Sequence, residues 1–180
     1  AVLEQLKLPL VLVDLGAPGL PCVNPDNLQG GYLATQHLLE QGRTRIAFLA
    51  STLGHYSIRQ REKGYRQALY DAKLLMPPEY EAIALPQLAE PPDALFAYND
   101  ATALLVLQVC AERGLRVPED VAVVGFDDIE PAAWSQPPLT TLAVDKQQLA
   151  REALDILLSE RVEANVMLPV ELVVRGSSGA

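Results

Sequence analysis

Residues 121–128 read VAVVGFDD, and this stretch decides the fold class. Val121–Phe126 holds five apolar residues and one glycine, with no polar alternation. Such a short, wholly apolar run reads as a strand buried on both faces, as in parallel sheets covered by helices. Two carboxylates, Asp127 and Asp128, follow it at once. Working outward, the same grammar recurs. Ala94–Tyr98 is a second such strand, and Asn99 and Asp100 behind it can cap a helix that stops at Gly114. Ile46–Ala50 is a third, and Leu10–Leu15 a fourth, closed by Gly16 and Pro18. Between them lie helical patterns: one from Asp26 or Asn27 to Gly42, one capped by Ser57 and running through Tyr65 and Leu69, and one over Lys146–Ser159. A short strand over Glu81–Leu85 and a last strand over Met167–Val174 complete the reading, with Pro169 marking a sheet edge. The pair Gly30-Gly31, inside the first helical pattern, reads as a place of close packing.

Alternating buried strands and amphipathic helices give an α/β chain with parallel sheets. In such sheets ligands bind beyond the carboxyl ends of the strands. That rule selects Asp14, Ser51, Thr52, Asn99, Asp100, Asp127 and Asp128 as groups converging on one crevice. Asn99 offers a donor and an acceptor suited to hydroxyl-rich ligands, or a helix cap. Asp127 and Asp128, with Glu130 nearby, allow three readings: ligand acceptors, caps of the following turn, or metal and acid/base groups. No histidine or third carboxylate is spaced to complete a metal site. Arg61, in SIRQREKGYRQAL, either lies on a solvated face, as Lys63 and Arg66 do, or reaches the crevice with its fork of donors. His55 and Tyr56 stand at a strand-to-helix junction, within reach of a ligand, whereas His37 falls inside a helix without an evident partner.

Composition sets the boundaries of function. The 180 residues are 49% hydrophobic and 21% charged, an ordinary globular balance. Their 23 acidic against 14 basic residues give a net charge of −9, which argues against contact with a phosphate backbone by this segment. No apolar run approaches a membrane span, and the first residues lack a signal peptide's pattern, so a cytoplasmic chain without membrane contact is expected. Cys22 and Cys110 lack metal-ligand spacing, and Cys110 reads as a buried thiol among Ala103, Val106 and Leu107. There is no GxSxG elbow, no GxGxxG and no Walker loop, so neither an enzyme nor a cofactor is expected.

Four segments resemble the effector-binding domain of the LacI/GalR repressor family: VNPDNLQGGYLATQHLLEQGRTRIAFL, RQREKGYRQAL, PDALFAYNDATAL and GLRVPEDVAVVGFDDIEPAAWSQPPLTTL. The last is the most specific, and the closing ELVVRGSS also matches. The resemblance implies a two-lobed, periplasmic-binding-protein-like fold with three crossovers and an incomplete first lobe. Residues 1–24 and 144–165 would form that N-terminal lobe, and 25–143 with 166–180 the C-terminal lobe. A helix-turn-helix that reads operator DNA would lie outside this sequence. The effector contacts it implies are Asp14, Arg61, Asn99 and Asp127, for a sugar or another small polar metabolite, and it implies an allosteric homodimer with Trp134 at the interface. A periplasmic sugar-binding protein of a transporter and a small-molecule enzyme on an open α/β sheet are the alternatives.

Overall fold

The computed structural model describes residues 9–17, 19–50, 54–74, 91–159 and 164–179. Two sheets organise them. The larger has the order β3-β4-β5-β6-β8: β3 Ile46–Leu49, β4 Ala94–Ala97, β5 Ala122–Asp127 and β6 Thr140–Val144 are parallel. The edge strand β8, Val170–Val173, is antiparallel to β6. The smaller sheet has the order β1-β2-β7, all parallel: β1 Leu12–Val13, β2 Cys22–Pro25 and β7 Asn165–Leu168.

Side-chain alternation explains why the larger sheet is apolar throughout. Ile46, Phe48, Phe96, Val124 and Phe126 point to one face, where they pack with Ala34 and Leu38 of helix α1 (Asn27–Glu40) and Ile58, Tyr65 and Leu69 of α2 (Tyr56–Asp71). Ala47, Leu49, Leu95 and Val123 point to the other, against Ala103, Leu107 and Cys110 of α3 (Asp100–Glu112) and Ala132 of the short α4 (Glu130–Trp134). Cys110 is thus the buried thiol the sequence suggested, and burial pushes its pKa up. His37 of α1 does have a partner: it is buried, with Nε2 2.8 Å from Ser178 Oγ. The smaller sheet packs Val23 and Leu168 against Leu149 and Ile156 of α5 (Lys146–Leu158).

Among the described residues the chain passes between the sheets three times. The passages are at Asp26 between β2 and α1, at Asp145 between β6 and α5, and at Pro169 between β7 and β8. Asp26 and Asp145 also cap the helices they introduce, accepting from the amides of Gln29 at 2.9 Å and Gln148 at 2.8 Å. The third passage corrects the sequence reading. The strand expected over Met167–Val174 is two strands, because Pro169 has no N–H to continue a ladder. Val166–Leu168 therefore pair with β2 in the smaller sheet and do not join the residues that follow them. Other differences have local causes. The strand expected over Leu10–Leu15 shrinks to two residues because Asp14 turns to a positive φ of 53° and ends it. Ser57 lies inside the first turn of α2, and His55 holds the N-cap position without a side-chain cap bond. β2, β6 and α4 have no counterpart in the sequence reading, and Ser51, Thr52 and Glu81–Leu85 lie outside the described residues.

Candidate effector crevice

Four strands of the two sheets end at one place. Asp14 follows β1, Asn27 follows β2, Tyr98 follows β4, and Asp127 closes β5. Arg61, in the second turn of α2, is aimed at all of them. Its Nε donates to Asn27 Oδ1 at 2.8 Å and one terminal nitrogen donates to the Tyr98 carbonyl. The other terminal nitrogen stands 3.6 Å from Asp14 Oδ2 and 3.6 Å from Asp127 Oδ1. The guanidinium carbon lies 3.6 Å from the centre of the Phe126 ring, a stacked cation–π contact. Only 3% of Arg61 is exposed, so the solvated-face reading does not hold for it, while Lys63 and Arg66 do face solvent.

The close approach of α2 that delivers Arg61 depends on two glycines. A Cβ on Gly31 of α1 would stand 2.0 Å from the Arg61 carbonyl oxygen, and one on Gly64 of α2 would stand 2.0 Å from that of Leu28. Gly30 makes room for Phe126, whose ring would lie 2.5 Å from an added Cβ. The glycine pair in the first helical pattern is a packing device, as the sequence suggested.

The aspartates sit on strained backbone. Asp14, Asp127 and Asp128 have φ of 53°, 110° and 45°, three of the four non-glycine residues with positive φ among those described. Such conformations persist where surroundings over-determine them, and they concentrate at functional sites. Here Asp128 accepts from Arg175 at 2.8 Å, and the Asp127 and Asp128 carbonyls accept from the Lys146 ammonium at 2.5 and 3.2 Å. Burial, opposed by Arg61, raises the pKa of Asp127 to about 6, with Asp100 and Asp14 adding to the rise. Asp100 itself is fully buried, accepting from Thr141 Oγ1 at 2.5 Å and from the Ile129 amide at 2.9 Å. Its Oδ1 would lie 2.1 Å from a Cβ on Gly125, which accounts for the glycine in the motif.

The structure thus brings Asp14, Arg61 and Asp127 together. Asn99 follows Tyr98, whose carbonyl Arg61 holds, but its Oδ1 accepts from the Thr102 amide at 2.9 Å and caps α3. His55 is exposed, and the Tyr56 ring lies against Gly16, where a Cβ would stand 2.6 Å from it. Trp134 is 79% exposed on α4 and is not one of the partners of Arg61, Asp14 or Asp127. Sequence reasoning missed Asn27 as a site residue. It is buried, and besides holding Arg61 it donates to Asp14 Oδ1 at 3.1 Å and to the Pro25 carbonyl at 3.2 Å. It carried no signal in the sequence, because β2, the strand it follows, is not legible there and Asn27 reads only as a helix cap. Lys146 had none either, because it lies at a helix start. Among the described residues no group of three or more His, Cys, Asp or Glu side chains is placed to hold a metal ion, so the metal reading of Asp127 and Asp128 finds no support there.

Residues 35–178 match the family of the periplasmic binding protein-like domain. A chain from Sanguibacter keddieii assigned to the LacI family of transcriptional regulators superposes with a TM-score of 0.81 at 33% identity, covering 96% of this chain and 74% of that one. This chain belongs to the LacI family. Among curated relatives, the LacI-family domain is 34% identical over 175 residues to the HTH-type transcriptional repressor PurR of Aliivibrio salmonicida, covering 89% of this chain and 52% of PurR. It is 35% identical over 202 residues to the repressor CytR of Escherichia coli K12, covering 98% of this chain and 58% of CytR. The chain spans about half the length of these relatives. Two similar structures carry sugars. The regulator CelR in complex with cellobiose superposes on the LacI-family domain at TM-score 0.80 and 33% identity, covering 93% of this chain and 58% of CelR. A LacI-family regulator from Enterococcus faecium with bound ribose does so at 0.83 and 25%, covering 95% and 70%.

Proposed function

We propose that this domain binds a small polyhydroxylated metabolite between two lobes and that the parent protein uses the occupancy to modulate DNA binding. The two lobes of this reading follow the sheets: β1, β2, α5 and β7 belong to one, and α1–α4 with β3–β6 and β8 to the other. The observation that carries the reading is Arg61, a buried cation between an aspartate from each sheet. A hydroxyl can donate to either carboxylate while accepting from the guanidinium, so two neighbouring hydroxyls match Asp14, Arg61 and Asp127 together. Asn99, His55 and Tyr56 are the further candidate contacts of this reading.

The sugars held by similar regulators support a sugar as ligand. The repressors PurR and CytR among the relatives support binding without turnover. Operator DNA would be read by a helix-turn-helix outside this sequence, in a cytoplasmic homodimer. No helix among the described residues is long and apolar enough to cross a membrane. For the dimer, Trp134 and the exposed Leu105 and Val109 of α3 offer apolar surface on helices that cover the same face of the larger sheet.

Thermal unfolding with D-ribose, cellobiose and other pentoses, hexoses and nucleosides tests the reading. A ligand at about 100 times its Kd stabilises by ~2.7 kcal/mol. Such a stabilisation should vanish in Arg61→Ala and Asp127→Ala. One that survives both substitutions places the ligand elsewhere, and an absence of any stabilisation across the panel counts against the effector reading.

A further inference from the structure

The turn after β5 is held from four sides, and three of the supports belong to the larger sheet and its surroundings. Arg175, just beyond β8, donates to Asp128 Oδ1 at 2.8 Å and to the Leu139 carbonyl at 2.8 Å. Asp100, at the start of α3, accepts the Ile129 amide at 2.9 Å, and Thr141 of β6 accepts the Asp128 amide at 3.4 Å. The fourth is different. Lys146 is the first residue of α5, whose buried face packs on the smaller sheet, and its ammonium donates to the carbonyls of Asp127 and Asp128 at 2.5 and 3.2 Å. Only Asp145 separates it from β6 of the larger sheet.

Asp127 is therefore bound to the smaller sheet by two routes. Its side chain reaches Asp14 through Arg61, the route a ligand would occupy. Its backbone reaches α5 through Lys146. We infer that Lys146 is a positioning residue that ties the orientation of the two sheets to the geometry of the Asp127–Asp128 turn. A change at the carboxylate is thereby passed to α5 without Lys146 touching the ligand. This rests on the effector reading only for what triggers the change; the tie itself is a property of the free protein. The physical case is that two residues at positive φ return to commoner conformations when their carbonyls lose the donor that holds them. Lys146 is exposed and makes no core contact, so replacing it disturbs little else.

The experiment needs no ligand. Spin labels at M167C on β7 and Y70C on α2, both exposed positions, report the distance between the sheets by pulsed electron resonance. Lys146→Met keeps most of the side chain's length and removes the donor, and should broaden or displace the distance distribution while leaving the melting temperature close to the parent's. Lys146→Arg restores a donor and should restore the parent distribution. A K146M distribution superimposable on the parent's overturns the inference, as does a K146R protein that behaves like K146M. Because no sugar is present, these outcomes bear on the tie alone, and the thermal unfolding panel bears on the effector reading alone.

Discussion

Burial lifts the Asp127 carboxyl from its ordinary 3.8 to about 6, against the attraction of Arg61, and this sets a pH dependence whose sign can be worked out. In the unfolded chain the group titrates near its ordinary value, so between about pH 4 and pH 6 the folded state binds more protons than the unfolded one. Asp127 therefore favours the fold below that window, and this contribution is lost as pH rises through it. Its side chain is 35% exposed, so solvent screening limits the contribution to about 1 kcal/mol over the whole window. Heteronuclear NMR of the side-chain carboxyl carbons should show Asp127 titrating near pH 6. A midpoint at the ordinary carboxylate value contradicts a carboxyl buried in the crevice. For the effector proposed above, the corollary is that its hydroxyls would meet a carboxylate at neutral pH and a carboxylic acid in mild acid, where binding should weaken.

At the scale of elements, the crossing of α1 and α2 turns a general rule round. Replacing a mid-helix glycine by alanine ordinarily stabilises a helix by about 1 kcal/mol. At Gly31 and Gly64 the added Cβ would sit 2.0 Å from a backbone carbonyl of the facing helix, which cannot swing aside as a side chain does. Gly31→Ala should therefore destabilise by ~1–3 kcal/mol, the usual cost of overpacking, and because the obstructing carbonyl is that of Arg61 it should also disturb the crevice. Urea denaturation gives the sign directly: a stabilised Gly31→Ala protein means that the two helices do not approach this closely in solution. The two glycines also show what the sequence could reveal. Their presence in a helical pattern announced close packing, but not the partner, because a crossing is a tertiary fact. The buried strands of the larger sheet were legible in Ile46–Leu49, Ala94–Ala97 and Ala122–Asp127, because both faces are apolar and pattern alone suffices. β2, reading CVNP, was not, since its pairing with β1 and β7 overrides a poor strand composition. Asp14 and Asp127 were legible from the strand-end rule. Arg61 stood undecided on spacing until the resemblance favoured it, because a helical charge run does not say which member turns inward. Lys146 stayed hidden for the related reason that its partners are backbone carbonyls, which leave no trace in side-chain chemistry.

For the whole molecule the open surface is the one that carries Trp134, the single tryptophan of the chain. At 79% exposure its indole leaves a large apolar area in water, with Leu105 at 63% and Val109 at 40% on the neighbouring α3. Dispersed apolar residues are common on surfaces, but several on the helices covering one sheet face make an area that association can remove from water. Burying a side chain of this kind contributes about 1.5–3 kcal/mol, and aromatic anchors of this type dominate the energetics of interfaces. The homodimer proposed for this LacI-family domain therefore predicts a concentration-dependent blue shift of tryptophan emission, free of interference because there is no second indole. Sedimentation equilibrium should follow the same curve, and Trp134→Glu should abolish association while leaving the thermal stability of the monomer nearly unchanged, since the side chain makes little core contact. Association that persists in Trp134→Glu, or emission that stays water-exposed while the mass doubles, moves the interface to another face. The acidic net charge of −9 opposes any self-association at long range, so added salt should strengthen a dimer built on this apolar surface by screening that repulsion, whereas an interface held by ion pairs would weaken.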